Sequence, residues 1–220
     1  DNCEMRDDGL CWNKNTNKIV RACLPMHSFG FPAELSAISA LCDRYNINLV
    51  EDAAESLGST YKNKHTGTIG KISALSFNGN KIITTGGGGM LLTNDKFLAN
   101  KAKHITTTAK VSHKWTFEHD EVGYNYRLPN LNAALGLAQM ELLPKILKLK
   151  RELSEKYDDW GKKNGIEFIR DRENTKSNYW LNTLITSDLN SRNRMLEQTN
   201  NNGITTRPVW TPMHKLKIFE

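Results

Sequence analysis

Residues 47–93 read INLVEDAAESLGSTYKNKHTGTIGKISALSFNGNKIITTGGGGMLLT. Three short apolar runs are set into this stretch. Asn48 to Val50 ends abruptly in Glu51-Asp52. Ile72 to Phe77 ends in Asn78-Gly79-Asn80-Lys81. Met90 to Thr93 follows four consecutive glycines. Short apolar runs bounded by turn formers predict buried strands. Working outward, KIVRACL at 18–24 predicts another strand, and MHSFGFP after it a loop of small residues. Residues 32–46 place Leu35, Ile38, Leu41, Cys42 and Tyr45 at helical spacing, with Pro32 suited to the first turn. A further helix is predicted from about Asp95. Strands alternating with helices over short loops predict an α/β fold, a mostly parallel central sheet flanked by helices. Ligands of such sheets sit outside the carboxyl ends of the strands. Asp52 and Lys81 both fall just past predicted strand ends.

The second half has a different texture. Residues 131–143 and 145–163 predict a long helical stretch interrupted at Pro144. Short strands are predicted at 166–169 and 179–186, and a helix at 191–201 that stops at Asn201-Asn202-Gly203. This organisation predicts a larger unit over residues 1–150 and part of a smaller α+β unit over 151–220, with the long helix shared between them.

The chain has 220 residues, 38% hydrophobic and 25% charged, which suffices for a core and argues against disorder. No apolar run reaches membrane-spanning length, so no membrane partner is expected. The net charge is +6, which suits a phosphorylated ligand, but no nucleic-acid motif accompanies it. The densest basic run, Lys145, Lys148, Lys150 and Arg151, is interleaved with leucines and reads as a solvated helix face. Cys3, Cys11, Cys23 and Cys42 lack zinc-ligand spacing, so no metal is expected. A reducing, cytoplasmic setting is expected from them.

Lys81 sits in SFNGNKIITTGGGG, where flanking apolar residues predict that its stem is held against the core. A lysine so held can lose its proton and attack a carbonyl. Asp52 follows an apolar run and precedes two alanines. It reads equally as a helix N-cap or as a functional acid. The glycine run lacks both the P-loop ending and the dinucleotide spacing, and reads as a tight turn or a close approach. Ser76 and Asn125 are each able to donate to a phosphate. A lysine, an acid for a pyridinium nitrogen and a hydroxyl for a phosphate together match the requirements of pyridoxal phosphate. In that chemistry the acid keeps the ring nitrogen protonated, and the ring then stabilises the carbanion left when a substrate proton departs.

Residues 51–93, with MHSFGFPAEL at 26–35, GYNYRLPNLNAALGLAQMELL at 123–143 and TRPVWTPMHKL at 206–216, resemble the DegT/DnrJ/EryC1/StrS family of sugar aminotransferases. The resemblance runs in order along nearly the whole chain. It implies a fold-type I pyridoxal 5′-phosphate enzyme whose N-terminal segment precedes Asp1. Lys81 resembles the Schiff-base lysine, Asp52 the acid on the pyridinium nitrogen, and Ser76 the phosphate-binding serine. Asn125 resembles the asparagine that reaches the cofactor of the neighbouring subunit in a homodimer with shared sites. Glu55 stands where many members carry glutamine near the ring hydroxyl. Arg127, Trp210 and His214 fall in segments that line the sugar-nucleotide side. The motif is most similar to members acting on UDP-4-keto-6-deoxy-N-acetylhexosamines in the bacillosamine and legionaminic acid routes. A sister class uses dTDP-ketosugars. The usual amino donor is L-glutamate. The alternatives are a non-transaminating sugar-binding relative and an inactive fragment. Retention of both Lys81 and Asp52 speaks against the first.

Overall fold

A computed structural model of the chain describes residues 2–219. It divides into two units. The first comprises residues up to Lys156 together with Arg170–Asn182, and the second comprises Tyr157–Ile169 and the residues from Thr183 onward.

The first unit opens with three short strands, β1 (Cys3–Met5), β2 (Cys11–Asn13) and β3 (Lys18–Ile19), paired antiparallel in that order. β4 (Ala22–Cys23) then enters a second sheet. The strand expected over 18–24 is thus broken, and its two ends serve different sheets, with Val20 and Arg21 making the crossing. Helix α1 (Leu35–Arg44) leads into β5 (Asn48–Asp52), which lies parallel to β4 with Cys23 opposite Leu49. β6 (Thr60–Tyr61) and β7 (Lys64–His65) form a small hairpin. β8 (Ile72–Ser76) then returns parallel to β5, with Asp52 opposite Ala74. β9 (Gly89–Leu92) closes the order β4-β5-β8-β9 as an antiparallel edge. Gly89 is required there: a Cβ would lie 2.3 Å from the Leu75 carbonyl oxygen. The sheet is therefore mostly parallel, as expected.

Side chains alternate across this sheet. On the α1 side Leu35, Cys42, Leu49 and Tyr61 form a buried cluster with Ile38, Ile47 and Ile69. A second cluster joins Ala53, Leu75, Phe77, Ile82, Ile83 and Trp180, with Leu143, Ile146 and Leu147 packed on it. Helix α2 (Lys96–Thr106) is capped by the Asp95 carboxylate, which accepts from the amides of Phe97 and Leu98. Lys101 and His104 on α2 pair with Glu121 and Asp120, tying the following loop to the helix.

Helix α3 spans Asn130–Asn164 with Pro144 inside it. The expected interruption does not end the helix. Proline costs the bond to the Met140 carbonyl but leaves the rest of the ladder intact. The basic run also departs from the solvated reading. Lys148 is 77% exposed, but Lys150 donates to the Trp180 carbonyl, and Arg151 donates to the carbonyls of Ser177 and Gly58. Burial pushes the Lys150 ammonium and the Arg151 guanidinium below their ordinary values.

β10 (Glu167–Phe168) lies in the second unit, and β11 (Thr175–Lys176) pairs with β6 in the first. The strand expected over 179–186 is reduced to β12 (Leu184–Ile185), paired antiparallel with β10. Residues 177–182 belong to the first unit instead, where Ser177 to Trp180 are buried and Tyr179 takes a left-handed φ of 48°. Helix α4 (Leu189–Asn201) follows, capped by Asp188. Among the described residues, no helix is long and apolar enough to cross a membrane.

Candidate active site

β5 and β8 are parallel neighbours, so their carboxyl ends open on one edge of the sheet. Lys81 follows β8 on that edge. Ile82 and Ile83 after it are buried, and its amide donates to the Asn78 carbonyl. The stem is held as expected, and the side chain is only 14% exposed. Lys81 Nζ lies 3.6 Å from Glu55 Oε1 and 4.1 Å from the centroid of the Trp180 ring. The other Glu55 oxygen accepts from the Phe29 amide at 2.7 Å. Phe29 stacks on Trp180 with centroids 6.5 Å apart, and the Trp180 indole donates to the Asn80 carbonyl at 2.6 Å.

Asp52 ends β5. Its Oδ1 accepts from the Ala54 amide at 3.1 Å, and no helix follows. The helix-cap reading therefore fails, and Asp52 closes a turn of the Asx type. Its neighbour Glu51 points to the opposite face and is fully buried. Glu51 accepts from His27 Nε2 at 3.0 Å and from the amides of Gly67, Ile69 and Gly70. The Ala33 amide donates to His27 Nδ1, so the ring proton sits on Nε2 and points at Glu51. Burial pushes the Glu51 carboxyl up, but the bonds from His27 and the three amides outweigh it and hold the group below the usual carboxylate range.

Asn178 organises the opposite wall. Its side-chain nitrogen donates to the carbonyls of Glu55 and Leu57, and its oxygen accepts from the Trp180 amide. Gly30, at φ +94°, makes room for it: a Cβ there would lie 1.8 Å from Asn178 Oδ1.

Ser76 ends β8, and its hydroxyl accepts from the Asn78 amide at 3.3 Å. Asn125 is exposed and bridges Thr107. Arg127 donates both to Asn125 Oδ1 and to the Thr107 carbonyl, each at 3.0 Å. Trp210 and His214 lie in the second unit, His214 in a single 3-10 turn over Met213–Lys215. The structure thus brings Lys81 and Glu55 into contact and sets Asp52 and Ser76 on neighbouring strand ends. It pairs Asn125 with Arg127 elsewhere in the first unit. Sequence reasoning missed Trp180, Asn178, Phe29 and His27. Only the SNYW stretch, polar residues opening a predicted strand, carried any signal for the first two.

Residues 13–220 match the model of the DegT/DnrJ/EryC1/StrS aminotransferase family. The chain belongs to that family. It is 37% identical over 209 residues to a GDP-perosamine synthase of Escherichia coli O157:H7, covering 94% of this chain and 56% of that protein. It is 38% identical over 136 residues to the UDP-4-amino-4,6-dideoxy-N-acetyl-beta-L-altrosamine transaminase of Campylobacter jejuni, covering 61% and 36%. Helicobacter pylori PseC, an aminotransferase involved in the biosynthesis of pseudoaminic acid, superposes with a TM-score of 0.86 at 26% identity. That match covers 90% of this chain and 55% of PseC. The chain spans about half the length of the curated relatives it matches. The DegT/DnrJ/EryC1/StrS fold is that of the fold-type I pyridoxal-phosphate enzymes, and aminotransferases of the family use pyridoxal 5′-phosphate. The donor set suits that cofactor: an amine, two carboxylates and a hydroxyl share one edge of β5 and β8.

Proposed function

We propose that this chain is the greater part of an aminotransferase that acts on a nucleotide-linked 4-keto-6-deoxy sugar, with L-glutamate as amino donor. Its product would serve surface polysaccharide or glycan biosynthesis in the cytoplasm. The observation that carries the reading is the amine of Lys81, largely buried at the strand edge and held between a carboxylate and an indole. Pyridoxal phosphate supplies the electron sink when bound. Lys81 provides the amine that holds the cofactor and later moves a proton at its Nζ. Asp52 presents a carboxylate to the pyridinium nitrogen, and the Ser76 hydroxyl donates to the phosphate. Glu55 holds charge beside Lys81 and borders the ring hydroxyl. Arg127 in the first unit, and separately Trp210 and His214 in the second, are assigned to the sugar nucleotide on the family resemblance alone. The first unit forms part of the large cofactor-binding domain and the second part of the small one, so residues 151–156 and 170–182, expected in the small domain, go with the large one.

Asn125 serves the cofactor of a second copy. Support for a dimer comes from α3, whose first half leaves Leu131, Leu135, Leu137, Met140 and Leu142 exposed, Leu131 at 84%. Leu131, Leu135 and Leu142 share one side of the helix, and a two-fold pairing would cover that side.

The relatives named above act on GDP- and UDP-linked sugars, so the nucleotide is the variable to assay. The full-length protein, supplied with cofactor and L-glutamate, is expected to aminate a UDP- or GDP-linked 4-keto-6-deoxy sugar, with 2-oxoglutarate formed in equal amount. No product from UDP-, GDP- or dTDP-ketosugars, with the cofactor bound, would overturn the substrate class.

A further inference from the structure

Trp180 meets the Asn80-Lys81 turn at two points. Its indole N–H holds the Asn80 carbonyl, one residue before the lysine, at 2.6 Å. Its ring face lies 4.1 Å from the lysine Nζ. The ring is itself fixed. Its amide donates to Asn178 Oδ1, its carbonyl accepts from Lys150 Nζ, and Phe29 stacks along it at an interplanar angle of 25°. Membership of the apolar cluster accounts for the burial of Trp180. It does not account for an aromatic face presented to an ammonium with a carboxylate on another side.

We propose that Trp180 is a positioning residue for the reactive amine: its indole face and the Glu55 carboxylate form a cage that holds Lys81 Nζ whenever that amine is not bonded to a carbonyl. The inference rests on the reading of Lys81 given above. A lysine released from a covalent bond has four rotatable bonds and gains freedom by leaving the site. An aromatic face attracts the ammonium, and the carboxylate adds to that attraction. The cage therefore keeps the amine beside the reacting atoms between the two halves of a transfer, where its next task is to move a proton.

The test has two readouts on the full-length protein. First, the cofactor-free protein is reductively methylated with 13C-formaldehyde, and the Lys81 methyl resonance is assigned by its loss in Lys81→Arg. The indole ring current should move this resonance upfield of the other lysines. The displacement should vanish in Trp180→Leu and persist in part in Trp180→Phe, which keeps an aromatic face but loses the bond to Asn80. Second, the single-turnover rate of amino transfer from L-glutamate to bound cofactor should fall about 2- to 30-fold in Trp180→Leu, the range expected for a lost cation–π contact. Trp180→Phe should recover most of it, with cofactor affinity little changed. An unshifted Lys81 resonance in the parent protein, or a Trp180→Leu rate equal to the parent's with cofactor trapped on Lys81, overturns the cage. A shifted resonance in a protein whose Lys81 never bonds the cofactor overturns the functional reading instead.

Discussion

Glu51 and Asp52 are adjacent in sequence and point to opposite faces of the sheet, and their chemistry divides accordingly. Glu51 is satisfied entirely by protein: His27 and three amides converge on its carboxylate. Replacing Glu51 by Gln turns one oxygen into a donor facing donors, and is expected to cost about 2–4 kcal/mol of stability. The carboxyl is held below its reference value of 4.5, so its contribution is fully present above that pH and is lost as pH falls through the lower folded value. Urea unfolding across this window should therefore show the parent and Glu51→Gln converging only in acid. A constant gap would contradict the assignment. The Asp52 carboxylate accepts from the Ala54 amide through Oδ1, and the function proposed above gives its other oxygen to the cofactor. Asp52→Asn should retain cofactor but slow the half-reaction with L-glutamate by roughly 10²–10³-fold, the loss typical when a preorganised electrostatic partner is removed. Unchanged single-turnover kinetics would return Asp52 to a turn-forming role. The placement of Asp52 and Lys81 was legible because one ends an apolar run at the close of β5 and the other follows the polar turn after β8. Trp180 was not, because it meets Asn80 across 100 positions of chain, and no local pattern encodes such a pairing.

At the scale of elements, the strand and helix order over residues 48–106 was legible, since each run is bounded by turn formers or by a cap. Asp95 caps α2 through two amides, and Asp95→Ala should cost about 1 kcal/mol, most of it recovered by Asp95→Asn. Thermal unfolding of the three proteins measures this, and equal midpoints would contradict it. What sequence could not convey was where tertiary demands cut an element short. The apolar alternation of 18–24 continues while the chain changes sheets. The 179–186 segment reads as a strand, yet Trp180 in its first half is held in the first unit by Asn178, Asn80 and Lys150, and Ser59 and Arg151 hold the two residues before the segment. Lys150 and Arg151 look like surface charges beside Lys148, yet they hydrogen-bond the carbonyls that hold this segment in place.

At the scale of the whole molecule, Lys81 and Asn125 report on assembly. Asn125 is exposed and accepts from Arg127, and in the dimer proposed above it serves the cofactor of the other copy. Mixing full-length Lys81→Ala with full-length Asn125→Ala creates heterodimers in which one site carries both lesions and the other neither. After random subunit exchange, activity should return to about a quarter of the parent level. Exchange without recovery would exclude a shared site.

Whether Lys81 is the amine that bonds the cofactor is decided by covalent trapping. The full-length protein is incubated with pyridoxal 5′-phosphate, reduced with borohydride, digested and mapped by mass spectrometry. The account predicts one stoichiometric reduced adduct on Lys81, with the accompanying visible absorbance lost in a folded Lys81→Ala protein. An adduct placed on another lysine, or full trapping and absorbance in Lys81→Ala, would contradict it.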